Sequence, residues 1–503
     1  MIETELSGQA HVRTPDAVVV GSGPNGLAAA LTLARAGLAV DVLEGAATPG
    51  GGCRTAELTL PGFLHDVCSA VHPLAAMSPF FRRTSLTARG VSLRVPRVAF
   101  AHPLDGGRAA AVVGSVDETA RGLGGDAGAY RRLLSPLVRD TDLIVPGILA
   151  PLRSVPAHPV ALARFGAAGL LPAATLARRF RTDKARALLA GVAAHAVLPL
   201  SAPLTGAFGL VLTMAAHAAG WPVVEGGSAR IAAALIEELL SLGGRVITGR
   251  WIRTLADLPS ARAVLLDVSP RQFLRLAGDR LPARHRKALQ RFRYGPGVCK
   301  VDWALAGPVP WQARVCGQAG TVHLGGTLDE VSRSEADVAA GRHPERPYCI
   351  VTQPGVVDPT RAPPGQQTLW AYCHVPPGSA ADMTDRIEAQ IERFAPGFRD
   401  LVLARATTTA ADEERHNPNY VGGDINGGLA TLRQTIFRPT ARWNPYRTAL
   451  RGVYLCSAST PPGGGVHGMC GQGAAVAALA DLRLAGLRRP SRAGWVADLR
   501  SQQ

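Results

Sequence analysis

Three observations predict an α/β fold. The stretch from Asp16 to Glu44 reads DAVVVGSGPNGLAAALTLARAGLAVDVLE. It runs from a β-branched segment (17–20) through a G-x-G-x-x-G and an Ala/Leu-rich segment (27–35) to a second apolar segment (38–43) that ends on an acid. The chain closes on a similar succession, GVYLCSASTPPGGGVHGMCGQGAAVAAL, with a strand at 452–456, a turn-rich loop at 457–465 and a helix of small residues at 466–479. Between them, a Gly-rich start at Gly226, Gly227 and Ser228 opens a helical run (230–242), followed by strand-like runs at 245–252 and 263–268. Short buried strands alternating with helices predict a parallel sheet covered on both faces, here a Rossmann-type domain assembled from separate stretches of chain. The remainder forms separate regions outside the nucleotide domain.

Each part of the first motif has a physical task. Gly21 permits the tight turn, Gly23 lets a pyrophosphate approach the backbone, and Gly26 lets the helix pack close to the strand. Pro24 and Asn25 lie at the helix start, where N–H groups and the helix dipole favour phosphate. Gly37 is placed to cap the helix end. Glu44 is positioned to accept hydrogen bonds from both ribose hydroxyls and would repel a 2′-phosphate. A lone G-x-G-x-x-G can be a plain glycine-rich turn; strand, glycines, helix, second strand and acid in this order are what a dinucleotide site requires.

The segment ATPGGGCRT follows. Gly51 and Gly52 allow a bulky ligand close to the backbone, Arg54 can meet a phosphate or ring carbonyl, and Thr55 comes next; the alternative is a surface glycine loop. PGFLHDVCSAVHP (61–73) carries His65, Asp66 and His72. Residues 86–150 mix short strands (91–100, 109–113) with a helical run (117–144). No charged residue occurs between Arg186 and Glu225. Pro199, Ser201, Pro203 and Thr205 interrupt this stretch, so it predicts buried core or the wall of an apolar cavity rather than a membrane span. His195 and His217 within it read as satisfied core histidines. Just before it, LARRFRTDKAR (176–186) reads as a basic helix, either a solvated face or a rest on a membrane surface. A helix is expected at 382–394. HNPNYVGGDINGG (416–428) is a polar glycine-rich loop offering Asn419, Tyr420 and Asp424, with an Asx turn as the alternative role for Asp424.

The chain has 503 residues, 47% apolar and 18% charged, enough for two or three globular domains. The formal net charge is +16, almost all of it arginine, since Lys184, Lys287 and Lys300 are the lysines. The arginines are scattered, without a basic arm or a nucleic-acid motif, so no nucleic-acid partner is expected. The eight cysteines include no C-x-x-C, residues 1–13 read as a loose polar tail, and residues 1–15 lack the basic and apolar regions of a secretory leader, so reduced thiols in a cytoplasmic protein are expected.

On VVVGSGPNGL (18–27), GGGCRT (50–55), the HD…SAVHP segment (65–73), GWPVVEGGS (220–228), NPNYVGGDINGG (417–428) and YLCSASTPPGGGVHGMCG (454–471), the chain resembles the phytoene desaturase-like flavoprotein family. It is most similar to the phytoene-dehydrogenase-like branch, often labelled pyridine nucleotide-disulfide oxidoreductase-like, within the flavin amine oxidase clan. Carotenoid desaturases carry G-x-G-T-x-P-G-x-G-x-P-G at the last segment. Here Ser457 and Ser459 stand for two glycines and His467 for a proline. The resemblance implies FAD in an extended form, in a glutathione-reductase-type nucleotide domain (14–85, 225–275, 441–490), facing a discontinuous α+β substrate domain (86–224, 276–440), between tails at 1–13 and 491–503. Carried over by position, Gly21, Gly23, Gly26 and Glu44 hold the ADP half. Gly51, Gly52, Arg54 and Thr55 lie along the pyrophosphate and flavin, and Ile252, in the strand after Arg245, offers its backbone to adenine. Ser459, Gly465, Val466, His467 and Met469 hold ribityl and flavin atoms at the last helix N-terminus. No separate NAD(P) domain is evident, there is no C-x-x-x-x-C to suit the disulfide label, and there is no metal-ligand spacing.

Such a flavoprotein would dehydrogenate a lipophilic, polyene or terpenoid-like small molecule, with oxygen or a quinone as electron acceptor and peripheral contact with a membrane as an option. The polar candidates near the chemistry are His72, His467, Asn419, Tyr420 and Asp424. Cys53 or His72 offers a covalent link to flavin in principle, though none is expected. The alternatives are a redox-neutral flavin-dependent isomerase, an amine oxidase, for which no aromatic pair stands out in the sequence, and a non-enzymatic FAD-containing interaction protein resting on the 178–186 arginines.

Overall fold

A computed structural model describes residues 14–487. Five parallel strands form the first sheet, in the order Val453–Leu455, Ala263–Leu266, Ala17–Val20, Val40–Leu43 and Arg245–Ile247. Three distant stretches of chain therefore meet in one sheet. Alternation along the central strand divides the core in two. Ala17 and Val19 pack with Leu27, Leu31, Ile231 and Leu235 beneath the helices Pro24–Arg35, Ala229–Ser241 and Met469–Leu487. Val18 and Val20 face Phe273 and Leu276 of the helix Pro270–Ala277 on the other side. Gly37, at φ +84°, donates to Ala34 O and ends the first helix as expected.

The second sheet has seven strands, in the order Val402–Thr408, Gly297–Leu305, Gln367–Val375, Cys349–Thr352, Ala319–Leu324, Val98–Leu104 and Arg108–Val113. It is antiparallel except where Ala319–Leu324 runs beside Val98–Leu104. The helix Thr384–Phe394 packs into a core on this sheet, and a layer of helices between Ala127 and Ala218 forms another. All eight cysteines are free thiols.

Several expected elements are redrawn. The strand expected at 245–252 stops at Ile247, so Ile252 lies in the following loop. The last helix begins at Met469 rather than Val466. The basic run at 176–186 is not one helix: a short 3-10 turn, Ala177–Arg179, is followed by the buried Phe180 and a new helix, Asp183–Ala193. Asp126 causes the break, accepting from Arg181 N (2.8 Å), Thr182 N (2.7 Å) and Thr182 Oγ1 (2.6 Å), while Thr182 caps the new helix. The uncharged stretch becomes mainly the end of that helix and the helix Thr205–Ala218. Among the described residues no single helix is long and apolar enough to cross a membrane.

Candidate functional site

One cavity of about 770 Å³ begins at the carboxyl ends of the parallel strands and reaches the seven-stranded sheet. Gly21, Gly23, Pro24, Asn25 and Glu44 line its first end, with Gly51, Gly52 and Arg54. The glycines are required by contact. A Cβ on Gly51, at φ +56°, would stand 2.8 Å from Gly23 Cα, and one on Gly26 would stand 2.1 Å from Gly21 O. Gly26 thus packs helix on turn and does not itself face the cavity. Glu44 is already engaged: Oε2 accepts from Ser22 N (2.9 Å) and Ser22 Oγ (2.5 Å), and Oε1 from Ala46 N (2.9 Å). A carboxylate has about four acceptor sites, so about one remains for a ribose hydroxyl rather than the two expected. Ile252 lines the cavity from its loop, and neither its N–H nor its C=O bonds within the described protein, which leaves the backbone free to meet a base.

Sequence reasoning missed two residues at this end. Trp251 is 56% exposed and lies over Gly45, where a Cβ would come within 2.3 Å of the indole; it is a ready stacking surface for adenine. Asp267 follows the strand Ala263–Leu266, and its Oδ2 accepts from Gly26 N at 2.9 Å. Burial, with some help from Glu44, pushes its carboxyl up to about 7. A run of VLLD gives no hint that this acid reaches the glycine turn.

In the middle of the cavity Ser459, Gly465 and Val466 line the wall, as expected, but His467 and Met469 do not. Met469 N donates to His467 Nδ1 (3.1 Å), so Nε2–H donates to Gly463 O (3.1 Å), and burial lowers the imidazole to about 4. His467 is a neutral cap on the last helix. Thr55 also turns away, donating to Asp66 Oδ1 (3.0 Å) and accepting from Ala229 N (3.1 Å). Asp424 is buried off the cavity, accepting from Gly295 N (2.7 Å) and, in an Asx turn, from Asn426 N (2.8 Å). Asn419 and Tyr420 do line it. Asn419 Oδ1 accepts from Ser269 N (2.8 Å), which pins the polar loop to the parallel sheet, and Tyr420 places its hydroxyl against Gly52, 2.8 Å from where a Cβ would stand.

The far end is apolar and aromatic: Phe208, Leu212 and Trp221 from the uncharged stretch, and Ile350, Trp370 and Tyr372 from the second sheet. Trp370 and Tyr372 sit two apart on one strand with near-parallel rings, 5.6 Å between centroids. Two histidines face this end. His72 is occupied: Ser228 Oγ donates to Ser69 O, so His72 Nε2–H donates to Ser228 Oγ (2.9 Å) and Nδ1 is left for Ser69 Oγ (3.4 Å). Burial lowers it to about 4. His195, read from sequence as core, lines the cavity instead. Its Nε2 is 2.8 Å from His323 Nε2, its Nδ1 has no protein partner, and burial lowers it to about 3. His217 is the satisfied core histidine, held by Tyr130 Oη (2.7 Å) and Gly114 O (2.9 Å).

Behind Trp370 lies a charged cluster that the sequence did not announce. Lys300 is buried, ion-paired with Asp302, and its ammonium is 5.5 Å from the Trp370 ring centroid. Buried Arg361 joins Asp66 (2.9 Å), Asp358 (2.7 Å) and Val224 O (2.9 Å), tying hairpin, helix start and sheet beneath the cavity. Among the described residues no cluster of His, Cys, Asp and Glu gathers as a metal site.

A continuous cavity with an acid at the second strand, glycines at the helix start and a glycine loop at its centre fits an extended dinucleotide. The NAD(P)-binding Rossmann-like domain family matches residues 19–84. A mouse protein named pyridine nucleotide-disulfide oxidoreductase domain-containing protein 2 is 26% identical, over 93% of this chain and 94% of its own length. A hydroxyneurosporene desaturase from Cereibacter sphaeroides is 28% identical, over 93% of this chain and 98% of its own. Among solved structures, an oxidoreductase from Methanosarcina mazei superposes with TM-score 0.60 at 17% identity, covering 93% of this chain and 99% of that one. A putrescine oxidase superposes with TM-score 0.57 at 18% identity, covering 94% and 99%. These structural likenesses speak to the fold.

Proposed function

We propose that this chain, an FAD-dependent oxidoreductase related to the desaturases, dehydrogenates a lipophilic, polyene or terpenoid-like molecule to form a C=C bond. The observation that carries the reading is the single cavity joining a dinucleotide end to an apolar aromatic end. When bound, FAD would supply a hydride acceptor at N5, with oxygen or a quinone as the final electron acceptor.

The chain's own residues do the rest. Glu44, Trp251 and the Ile252 backbone hold the nucleotide, and Arg54, whose Nε is held by Gly51 O (2.8 Å), directs its guanidinium along the glycine loop. Phe208, Leu212 and Trp221 exclude water and align the substrate. His195 is the side chain placed to accept the proton: its Nδ1 is open, and its Nε2 is held by His323 at 2.8 Å, which orients the ring.

The test is anaerobic mixing of FAD-loaded protein with a polyene such as neurosporene or phytoene. Bleaching of the flavin band and a product lighter by H₂ are expected. A product of unchanged mass, with the flavin unbleached, would replace dehydrogenation with isomerisation. Replacing His195 with Ala should slow flavin reduction by about 10²–10⁴ while FAD affinity stays unchanged.

A second reading, oxidation of an amine, draws on the parallel Trp370–Tyr372 pair, whose ring faces would attract a cation. Lys300 already places an ammonium over Trp370, and the far end of the cavity has no carboxylate, so this reading is the weaker. Flavin bleaching by putrescine or cyclohexylamine would reverse that order.

A further inference from the structure

The seven-stranded sheet floors the far end of the cavity, and its register decides which side chains share that floor. Ile350 and Thr352 stand beside Tyr372 and Trp370 on one neighbouring strand. On the other neighbour, His323 and Thr321 stand beside Ile350 and Thr352. Neighbouring strands lie about 4.8 Å apart and alternate residues along a strand about 7 Å, so these side chains form one patch. Ile350, Thr352, Trp370 and Tyr372 line the cavity. Trp221 lines it too, packed edge-on against His195 with 6.1 Å between ring centroids.

The outline of this end is apolar, but its polar atoms are unsatisfied. Thr352 Oγ1, Trp370 Nε1 and Trp221 Nε1 are buried and have no hydrogen-bond partner among the described residues. Thr321 Oγ1 and His323 Nδ1, in the same patch, are in the same state. The Tyr372 hydroxyl makes no hydrogen bond to the described residues either. The contrast with the other two buried tryptophans is direct: Trp303 Nε1 donates to Glu388 Oε1 (3.0 Å) and Trp311 Nε1 to Gln353 Oε1 (2.8 Å). Folded chains pair nearly all such groups, because an unpaired buried donor keeps the full cost of its lost hydration. Here the unpaired ones gather at one end of one cavity.

We infer that the substrate carries a carbonyl oxygen on its otherwise apolar body, and that this floor receives it. An indole N–H only donates, and the Thr352 and Tyr372 hydroxyls can donate, so the partner these groups lack is an acceptor. A carbonyl oxygen accepts two such bonds and brings no hydrogen that would need an acceptor in return. A hydrocarbon would leave every one of these groups unpaired. The inference rests on the proposed function in one respect, that the far end holds the substrate. It narrows that substrate from any lipophile to a ketone or aldehyde.

The experiment is titration calorimetry of the FAD-loaded chain with β-ionone, a terpenoid ketone, with the corresponding alcohol β-ionol, and with the hydrocarbon of the same skeleton. The ketone is expected to bind most tightly, about tenfold or more over the hydrocarbon. Thr352→Val and Tyr372→Phe keep the shape of the floor and remove one hydroxyl each. Either should cut the preference for ketone over hydrocarbon severalfold, with hydrocarbon affinity and flavin spectrum unchanged. Because Thr352 Oγ1 is unpaired without ligand, Thr352→Val should leave the Tm of the ligand-free protein equal or higher. Equal affinities for ketone and hydrocarbon, an alcohol bound more tightly than the ketone, variants that keep the full preference, or a lower Tm for Thr352→Val overturn the inference. Binding is read without turnover, so the two readings fail separately. Tight ketone binding with a flavin that dihydro-β-ionone does not bleach would support the carbonyl site and count against dehydrogenation.

Discussion

Glu44 and Asp267 share the nucleotide end of the cavity but differ in what they ask of a ligand. Glu44 keeps about one acceptor site for a ribose hydroxyl, so Glu44→Ala should weaken FAD binding by about 1.5–3 kcal/mol, roughly tenfold or more, in a fluorescence titration. Part of that loss would come from releasing Ser22, and Ser22→Ala separates the two. Asp267 is a carboxyl raised to about 7 by burial, with Gly26 N–H and Glu44 facing it from the helix and neighbouring strand, and Cys456 close by. A raised carboxyl is charged only above that value, and a pyrophosphate nearby would raise it further. FAD affinity is therefore expected to fall as pH rises through about 7–9, with proton uptake on binding, and Asp267→Asn should flatten the profile. Titration calorimetry in buffers of different ionisation heat checks both. Gly21, Gly23 and Glu44 were legible because their motif is local. Asp267, Trp251 and His195 were not, because each gains its place from residues joined only by sheet pairing or helix packing.

The last helix shows what an element hides in its sequence. A glycine loop running into a helix suggested a free N-terminus at 466 aimed at flavin. The chain instead continues to Met469, where His467 accepts the first N–H, and the cavity wall ends at Val466, short of the helix. His467→Ala should cost about 1–2 kcal/mol of stability, read as a Tm lower by a few degrees, with FAD affinity little changed. A large loss of FAD with an unchanged Tm would return His467 to the cofactor. The basic run at 176–186 failed as a helix for a related reason: the charges look continuous, but Asp126, fifty-odd residues upstream, claims the backbone at Arg181 and Thr182.

Across the whole molecule, the alternation of strand and helix signals was enough to foresee a parallel sheet with helices on both faces. The seven-stranded sheet was not foreseen in its order, since its pairings, such as Ala319–Leu324 beside Val98–Leu104, join residues over two hundred apart. Because one cavity spans both sheets, FAD should stabilise them together. At about a hundredfold excess over Kd the gain is about 2.7 kcal/mol, and one cooperative transition, shifted upward, is expected by calorimetry. Two transitions, with the upper one unmoved by FAD, would mean that the second sheet does not share the site. The first sheet also takes its strands from three stretches, and the strand Val453–Leu455, with the loop that follows it, is the last to be synthesised. A chain still on the ribosome holds the glycine turn and Glu44 early, but not Ser459 or Gly465. Flavin capture on this protein therefore waits for the terminal glycine loop, and a chain cut short of it would expose an unfinished sheet edge to chaperones.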